Sequence, residues 1–344
     1  MNSFGRKFRV SIFGESHGKQ IGVVLDGVPA GLELSEEDLM KDILRRKSGA
    51  RGTTPRIEAD QPVIVSGVYE GHTTGAPLTI LFSNTNTHSS DYSLFLDIPR
   101  PGHADFTAEI KYESCQDPRG GGHFSGRLTL PIVAAGVVGK MILEDSTCLD
   151  DFQVTGDSIS ARIIELGGIP RPKRNNQPMP DVWKTALDEA IREGDSLGAV
   201  VECRVEGIDI GYGEPFWDSV ESVISHAIFS IPGVRGIEFG DGFAAAAMKG
   251  SEHNDPIGPD GIPMKNGSGG VNGGISNGAP IVFRVAFKPM SSIRKEQETW
   301  NFETGQMEKL VVPGRHDACF ALRAPVVVEA MTAIALADLA LVKN

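Results

Sequence analysis

The chain has few cysteines, and those it has lie far apart in the sequence. Its 344 residues include four, Cys115, Cys148, Cys203 and Cys319, and no two of them form a C-x-x-C pair. Closely spaced cysteines indicate a zinc site, and many cysteines in a short secreted chain indicate a disulfide framework. Neither class fits this sequence. The first residues also lack the apolar segment of a signal peptide, so we expect a cytoplasmic protein with reduced thiols.

Two common nucleotide-binding motifs are absent as well. The sequence has no G-x-x-x-x-G-K-[ST] segment, and no convincing G-x-G-x-x-G segment follows a predicted strand. The first motif binds phosphates in P-loop proteins, and the second binds dinucleotides in Rossmann domains. The sequence therefore favours neither a P-loop kinase nor a nicotinamide-dependent Rossmann enzyme.

Long uncharged apolar runs are also missing. Residues 128–143 and 325–341 are apolar on nearly every side, but Lys140 interrupts the first run, and Glu329 and Asp338 interrupt the second. A membrane-spanning helix needs about 20 predominantly apolar residues. A helix that is apolar all round is covered on every side, so we predict two buried core helices.

Positive charge is scarce overall but locally concentrated. The net charge of −12 argues against a general nucleic-acid-binding protein. Basic residues nevertheless cluster in residues 45–56. Other arginines lie in or beside glycine-rich loops: Arg100, Arg119, Arg127, Arg315 and Arg323. A positive cleft in an acidic protein suits a small polyanionic ligand. For residues 45–47 a helix end is an equal alternative, because cations stabilise the C-terminal end of the helix dipole.

Hydrophobic periodicity predicts a mixed fold of strands and helices. Strands are predicted over residues 8–13, 21–27, 61–69, 77–82, 200–205 and 280–287. Amphipathic helices are predicted over residues 35–47, 181–192 and 215–229, in addition to the two buried ones. Long loops are expected over residues 83–104, 171–179 and 253–278. No linker separates two folded halves, so we predict one domain over residues 1–344.

Residues 14–18, Gly-Glu-Ser-His-Gly, fit the G-x-S-x-G pattern of a serine-hydrolase nucleophile elbow. That elbow requires a strand before the serine and a helix after it. Here both flanking segments are strand-like, which disfavours a serine hydrolase. The segment instead predicts a glycine-bracketed loop that presents His17.

Four segments together resemble the chorismate synthase family. They are the loop over residues 14–18 with its continuation to residue 31, Arg-Pro-Gly-His-Ala-Asp at residues 100–105, the glycine-rich arginine loop at residues 119–127, and Gly-Arg-His-Asp at residues 314–317 followed by Glu-Ala at 329–330. They occur in the family's order and span nearly the whole chain. The resemblance implies an α+β sandwich, with long buried helices between two antiparallel sheets and pseudo-two-fold internal symmetry.

The resemblance also implies an activity. Members of the family convert 5-enolpyruvylshikimate 3-phosphate to chorismate and phosphate by a 1,4-anti elimination that requires reduced FMN. No reductase domain is visible in this sequence, so the implied partner is an external source of reduced FMN. The family is typically a homotetramer. The different-class alternative is a flavin- or nucleotide-binding protein on the same scaffold without lyase activity.

The resemblance assigns roles to particular residues of this chain. His17 is expected to protonate the departing phosphate, His103 to hold the protonation state of the reduced flavin, and Asp317 to help flavin N5 act as a base. Arg46, Arg51 and Arg127 are the implied contacts of substrate or NADP phosphate. The implied FMN-binding residues are His123, Phe124, Ser125, Pro232, Gly233, Gly278, Lys288, Pro289, Met290, Ser291, Ser292 and Arg315. No metal ligand is implied.

One position departs from the family pattern. Where the family usually has arginine after the three glycines of residues 120–122, this chain has His123. Histidine carries less charge at neutral pH and lacks the two-pronged guanidinium group. We therefore expect an altered phosphate contact at this position, unless residues 124 and 126 reshape the loop so that position 123 points away.

Overall fold

The computed structural model describes residues 2–54, 58–86, 94–145, 158–173, 177–314 and 316–343. Its strands are β1 Ser3–Phe4, β2 Arg9–Gly14, β3 Gln20–Asp26, β4 Val63–Ser66, β5 Val68–Tyr69, β6 His72–Thr73, β7 Leu78–Ser83, β8 Ile159–Leu166, β9 Ile169–Pro170, β10 Ala199–Val205, β11 Val234–Phe239, β12 Val271–Asn272, β13 Ile275–Ser276, β14 Ile281–Phe287, β15 Gln297–Asn301 and β16 Gln306–Leu310. Its helices are α1 Glu36–Arg46, α2 Asp105–Lys111, α3 Thr129–Glu144, α4 Asp181–Glu193, α5 Val220–Phe229, α6 Gly250–His253 and α7 Pro325–Lys343.

Two five-stranded antiparallel sheets form the outer layers of the fold. The first has the strand order β1-β2-β3-β7-β4, and the second has the order β11-β14-β10-β8-β9. Side chains on these strands alternate between buried and partly exposed positions, as in β10, where Ala199, Val201, Cys203 and Val205 are buried. This alternation gives each sheet one face that packs against the core.

The two apolar helices lie between the sheets. Helix α3 packs on α7 and on strands of the first sheet, and α7 packs on β8 and β10 of the second sheet. By length and composition the segment Arg119–Glu144, which ends with α3, and helix α7 could each cross a membrane, but most of each is buried inside the fold. The prediction of buried core helices, and with it the α+β sandwich, is confirmed. Each half of the chain supplies one sheet and one long buried helix.

The charge of Asp338 in the buried helix α7 is compensated by backbone groups. Its Oδ1 accepts hydrogen bonds from the backbone N–H groups of Arg6, Lys7 and Phe8 at 2.8, 2.7 and 3.0 Å. These bonds satisfy a polar group that would otherwise be buried without partners. Asp338 thereby ties the turn between β1 and β2 to the core helix.

Helix α1 ends where the candidate site begins. The N–H and hydroxyl of Ser35 both donate to Asp38, at 2.8 and 2.7 Å, which fixes the first turn. Leu39 and Ile43 lie on the buried face together with Arg46, which is the last helical residue. A helix places residues three and four positions apart on one face. Arg46 therefore points inward although it stands at the end of an amphipathic helix.

Some predicted elements differ from the observed ones. The helix predicted over residues 215–229 is a 3-10 turn over Phe216–Asp218 followed by α5, because Ser219 caps the new helix by accepting from the N–H of Ser222 at 3.0 Å. The strand predicted over 61–69 is divided at Gly67, whose φ of +86° strands do not adopt. Strands β8 and β11 and helix α2 were not predicted.

Candidate active site

Loops from both halves of the chain line a cavity of about 890 Å³. Small-molecule sites in proteins measure about 300–1,000 Å³. In the described lining, seven cations face three carboxylates: Arg46, Lys47, Arg100, Arg127, Arg235, Lys288 and Arg323 against Glu58, Asp60 and Asp317. The whole chain carries a charge of −12, so positive charge is concentrated at this cavity. Such a field attracts a polyanionic ligand.

Two of the predicted phosphate contacts, Arg46 and Arg127, share one carboxylate. Nη1 of Arg46 lies 3.3 Å from Oδ2 of Asp60, and Nη1 of Arg127 donates to Oδ1 of the same group. The Nε of Arg46 donates to Thr129 Oγ1 at 3.0 Å, and that of Arg127 donates to Asn84 Oδ1 at 3.0 Å. These bonds hold both guanidinium groups in fixed, buried positions.

The surroundings of Arg46 favour an additional anion. Burial, together with the nearby charges of Arg323 and Arg127, lowers the pKa of Arg46 to about 9, against the opposing effects of Asp60 and Asp317. An anion placed beside an arginine in such surroundings stabilises its charged form. This electrostatic environment suits a phosphate or carboxylate ligand.

Asp317 is held by one backbone group and one arginine. Its Oδ1 accepts from the backbone N–H of Thr54 at 2.9 Å, and its Oδ2 accepts from Nη2 of Arg323 at 2.7 Å. Nε of Arg323 is buried and has no hydrogen-bond partner among the residues that the structure describes.

The loop that carries His17 is packed against the glycine-rich loop of residues 119–127. The N–H of Ser16 donates to the carbonyl oxygen of Gly122 at 3.0 Å. Gly120 has a φ of +63°, and a Cβ on it would lie only 2.6 Å from Nε2 of His17. Glycine is therefore required at position 120. Ser16 and Gly120 line the cavity, and the buried His17 ring lies directly beside them.

His123 also lines the cavity, but one of its ring nitrogens is engaged elsewhere. Its Nδ1 lies 2.8 Å from the carbonyl oxygen of Gly14. Since a carbonyl oxygen can only accept, Nδ1 carries the hydrogen and Nε2 is the nitrogen left for a ligand. In this structure the replacement of the family arginine therefore joins two loops.

His103 belongs to a compact group with Arg100 and Asp105. Arg100 binds both oxygens of Asp105, at 2.7 and 2.8 Å, and Nδ1 of His103 lies 2.6 Å from Oδ1 of the same carboxylate. Burial alone would raise the pKa of Asp105, but hydrogen bonds from Arg100 and His103 overcome this effect and lower it. The ionised carboxylate holds the hydrogen on Nδ1 of His103, so that Nε2 is the ring nitrogen left for a ligand.

The segment over residues 288–292 is hydrogen-bonded to Arg100 and to the loop that carries His103. Arg100 donates from Nη1 to Ser292 Oγ at 3.0 Å. Nζ of Lys288 donates to Ser291 Oγ at 2.7 Å and also to the carbonyl oxygen of Gly102. Burial and the nearby charge of Arg235 lower the pKa of Lys288. These contacts bring the predicted flavin segment to the edge of the cavity.

Most of the predicted site residues lie together at this cavity. Its lining includes His103, Asp317, Arg46, Arg127, His123, Phe124, Ser125, Pro232, Gly233, Lys288, Pro289, Met290, Ser291 and Ser292. Three others are not part of that lining: His17 lies beside its residues Ser16 and Gly120, Arg51 pairs with Asp188 on a mostly exposed surface, and Gly278 lies against Ile210 and Ile262. Arg315 lies outside the described residues.

The structure adds residues that the motifs did not single out for the site. Arg235, His226 and His316 line the cavity, together with Arg323, which the sequence had placed only among its clustered arginines. Arg235 stands two residues after the predicted Gly233, and His316 is adjacent to Asp317. These two residues could have been identified from the sequence by their closeness to predicted site residues. His226 lies on α5, where the sequence shows only an amphipathic helix.

A family model described as chorismate synthase matches residues 8–341. A chorismate synthase of Chitinophaga pinensis is 56% identical over 100% of this chain and 98% of its own length. One from Korarchaeum cryptofilum is 45% identical over 97% of this chain and 96% of its own length.

A solved structure agrees with these sequence matches. A crystal structure of a chorismate synthase superposes with a TM-score of 0.72 at 29% identity, over 98% of this chain and 92% of that chain. The sequence and fold matches both extend over nearly the whole chain. The chain therefore belongs to the chorismate synthase family.

Proposed function

We propose that this chain is a lyase that converts 5-enolpyruvylshikimate 3-phosphate to chorismate and phosphate by a 1,4-anti elimination with reduced FMN. The observation that carries the proposal is the cavity in which seven cations face three carboxylates within the described lining. The substrate bears a phosphate and two carboxylates, and FMN bears a further phosphate. The two chorismate synthases that match nearly the whole chain support the same reaction.

The residues present fit a flavin phosphate and a flat ring system. Arg323 offers a buried Nε without a hydrogen-bond partner among the described residues, and the cavity measures about 890 Å³. We propose that Lys288, Ser291 and Ser292 hold the cofactor together with His123, Phe124 and Ser125, and that Pro232, Gly233, Pro289, Met290 and Arg315 contribute to the same site. When bound, reduced FMN supplies transient electron donation and a hydrogen acceptor.

Arg46 and Arg127 are proposed to bind the substrate's anionic groups. Their shared partner, Asp60, neutralises only one of their two charges. Arginine binds phosphate and carboxylate through two parallel hydrogen bonds, and both guanidinium groups are already held in place. This arrangement reduces the ordering that binding would otherwise require. Arg51 and Gly278, which lie away from this cavity in one chain, stay predictions from the motifs alone.

Three side chains are proposed to hold or move protons. His17, buried beside Gly120, donates a proton to the departing phosphate. His103, with Nδ1 directed at Asp105, presents Nε2 as the atom that exchanges a proton near the flavin. Asp317, held by Thr54 and Arg323, accepts a proton from the flavin side. A positioned general acid or base typically contributes about 100- to 10,000-fold to a rate.

The assembly and setting of the enzyme are proposed on the resemblance. We propose a single domain, supported by one hydrophobic core that includes residues of both sheets. We also propose a cytoplasmic homotetramer supplied with reduced FMN by a separate reductase. The side chains of Phe216, Trp217 and Phe243 are 84%, 90% and 86% exposed in the single chain, and burial between subunits would remove them from water.

The test is an anaerobic assay with photoreduced FMN and purified protein. We expect release of inorganic phosphate and formation of chorismate in equal amounts, with neither product when the flavin is oxidised. A protein that binds FMN and perturbs its spectrum, yet releases no phosphate, would instead be a binding protein on this scaffold.

A further inference from the structure

Four charged side chains meet between three helices, away from the lining of the cavity. This four-charge cluster consists of Asp42 and Arg45 on α1, Lys140 on α3 and Glu329 on α7. Glu329 is 2% exposed, and Arg45 binds its two oxygens at 2.6 and 2.7 Å. Lys140 donates to Asp42 at 2.6 Å, and Arg45 donates to Asp42 at 2.9 Å. Two cations are thus balanced by two carboxylates.

The cluster also reaches the second sheet. Oε1 of Glu329 accepts from the backbone N–H of Ala161, on β8, at 2.9 Å. The hydrogen bonds that Arg45 donates to Glu329 raise the pKa of Arg45. Glu329 therefore connects α1, α3 and β8 from a buried position inside α7.

Stability alone gives a weak reason for such a cluster. Removing charges from water is costly, and well-packed apolar side chains often stabilise a core as well as an ion pair does. What an ion cluster with directional hydrogen bonds provides is a fixed relative position of the elements that carry it. In this chain, one functional group depends on that position.

That group is the side chain of Arg46. Asp42 and Arg46 lie one turn apart on the same buried face of α1, and Arg45 is the preceding residue. The cluster fixes the rotation and the axial position of the last turn of α1, whose final residue projects into the cavity. A helix advances about 1.5 Å per residue, so a small slip would carry the Arg46 guanidinium away from Asp60 and Thr129.

We infer that Glu329, acting through Arg45 and Asp42, is a positioning residue that sets where the Arg46 guanidinium meets an anionic ligand. The inference rests on the proposed function for the identity of that ligand. The geometry of the four-charge cluster and Arg46 does not depend on the reaction. A displaced guanidinium no longer offers an anion its two parallel hydrogen bonds, so the anion binds more weakly. The effect should appear in ligand affinity, because Arg46 binds and does not transfer a proton.

The experiment compares the wild type with Glu329→Gln, Arg45→Lys and the control Cys203→Ala. Cys203 is fully buried on β10, paired with Ala161 on the neighbouring strand, and its removal leaves all four charges in place. For each protein, calorimetry gives the dissociation constants of 5-enolpyruvylshikimate 3-phosphate and of inorganic pyrophosphate. The lyase assay gives kcat and KM, and thermal unfolding gives Tm.

We expect Glu329→Gln to raise both dissociation constants and KM by about tenfold or more, with kcat within about threefold of the wild type. Arg45→Lys keeps a cation but loses the two-pronged contact, so its loss should be smaller and in the same direction. Cys203→Ala should lower Tm without changing either dissociation constant.

The inference is overturned if Glu329→Gln and Arg45→Lys lower Tm but bind both anions as tightly as the wild type. If Glu329→Gln does not fold, Arg45→Lys alone decides between these outcomes. Failure of the proposed function is seen separately, as a wild type that neither binds nor converts the substrate. In that case the dissociation constants for pyrophosphate still allow the variants to be compared with the wild type.

Discussion

Nδ1 of His123 donates to the carbonyl oxygen of Gly14 at 2.8 Å, which joins the glycine-rich loop to the loop that carries His17. We predict that this bond positions His17. The amide nitrogen of asparagine can take the place of Nδ1, whereas that of glutamine lies nearer the place of Nε2. His123→Asn should therefore keep turnover within about threefold of the wild type, and His123→Gln should lose about tenfold or more.

Steady-state turnover of the two variants under reduced FMN provides the measurement. Equal loss in both variants would show that Nδ1 is not the important atom. A lower FMN dissociation constant in His123→Arg than in the wild type would favour direct contact with phosphate at this position.

The acid role of His17 predicts a large kinetic effect. His17→Ala should lower kcat by about 100- to 10,000-fold, the usual contribution of a general acid, while substrate and FMN binding stay nearly unchanged. His72→Ala is the matched control, because His72 is exposed on a hairpin and does not line the cavity. Wild-type turnover in His17→Ala would remove His17 from the mechanism.

Asp317→Asn separates a chemical role from a structural one. The amide keeps the shape of the side chain but removes the charge that faces Arg323 and the ability to accept a proton. We predict a slower reaction with substrate binding retained. Rate and Tm should be measured on one preparation, and a large fall in Tm with an unchanged rate per folded molecule would leave Asp317 as only a partner of Arg323.

The close approach of Gly120 to His17 predicts a steric effect. Gly120→Ala places a Cβ 2.5 Å from Cδ2 of His17, at a φ of +63°. Gly305→Ala is the matched control, since Gly305 has a φ of +67° and nothing within 4 Å of the added Cβ. Both variants should lose about 1 kcal/mol of stability from the backbone alone. Only Gly120→Ala should also lose turnover, and equal kinetics in the two variants would contradict the steric argument.

The ion group around Asp105 predicts a pH dependence of stability. Its folded pKa is lowered by Arg100 and His103 below the unfolded value of about 3.9. The group therefore stabilises the fold fully above that value, and the stabilisation is lost as the pH falls towards the folded pKa. The free energy of unfolding, measured with urea, should fall more between pH 5 and 3 for the wild type than for Asp105→Asn. Parallel pH curves for the two proteins would contradict this assignment.

The predictions that succeeded depended on local pattern. The strand–loop–strand around His17 and the buried helix over residues 325–341 could be predicted because periodicity and glycine placement are local properties. The contact of Gly120 with His17 joins residues more than a hundred positions apart, and no local pattern encodes it. For Arg51 the family resemblance implies a phosphate contact, and in the single chain the fold pairs Arg51 with Asp188 away from the cavity, so that role stays a prediction.

The central claim is that one arginine-lined cavity holds both FMN and the phosphorylated substrate. Calorimetric titration of FMN, with and without 5-enolpyruvylshikimate 3-phosphate, tests it most directly. Because each ligand would order the loops of the cavity for the other, the substrate should tighten FMN binding by about fivefold or more. Arg46→Ala should greatly reduce that coupling. An FMN dissociation constant that is the same with and without the substrate would contradict the account.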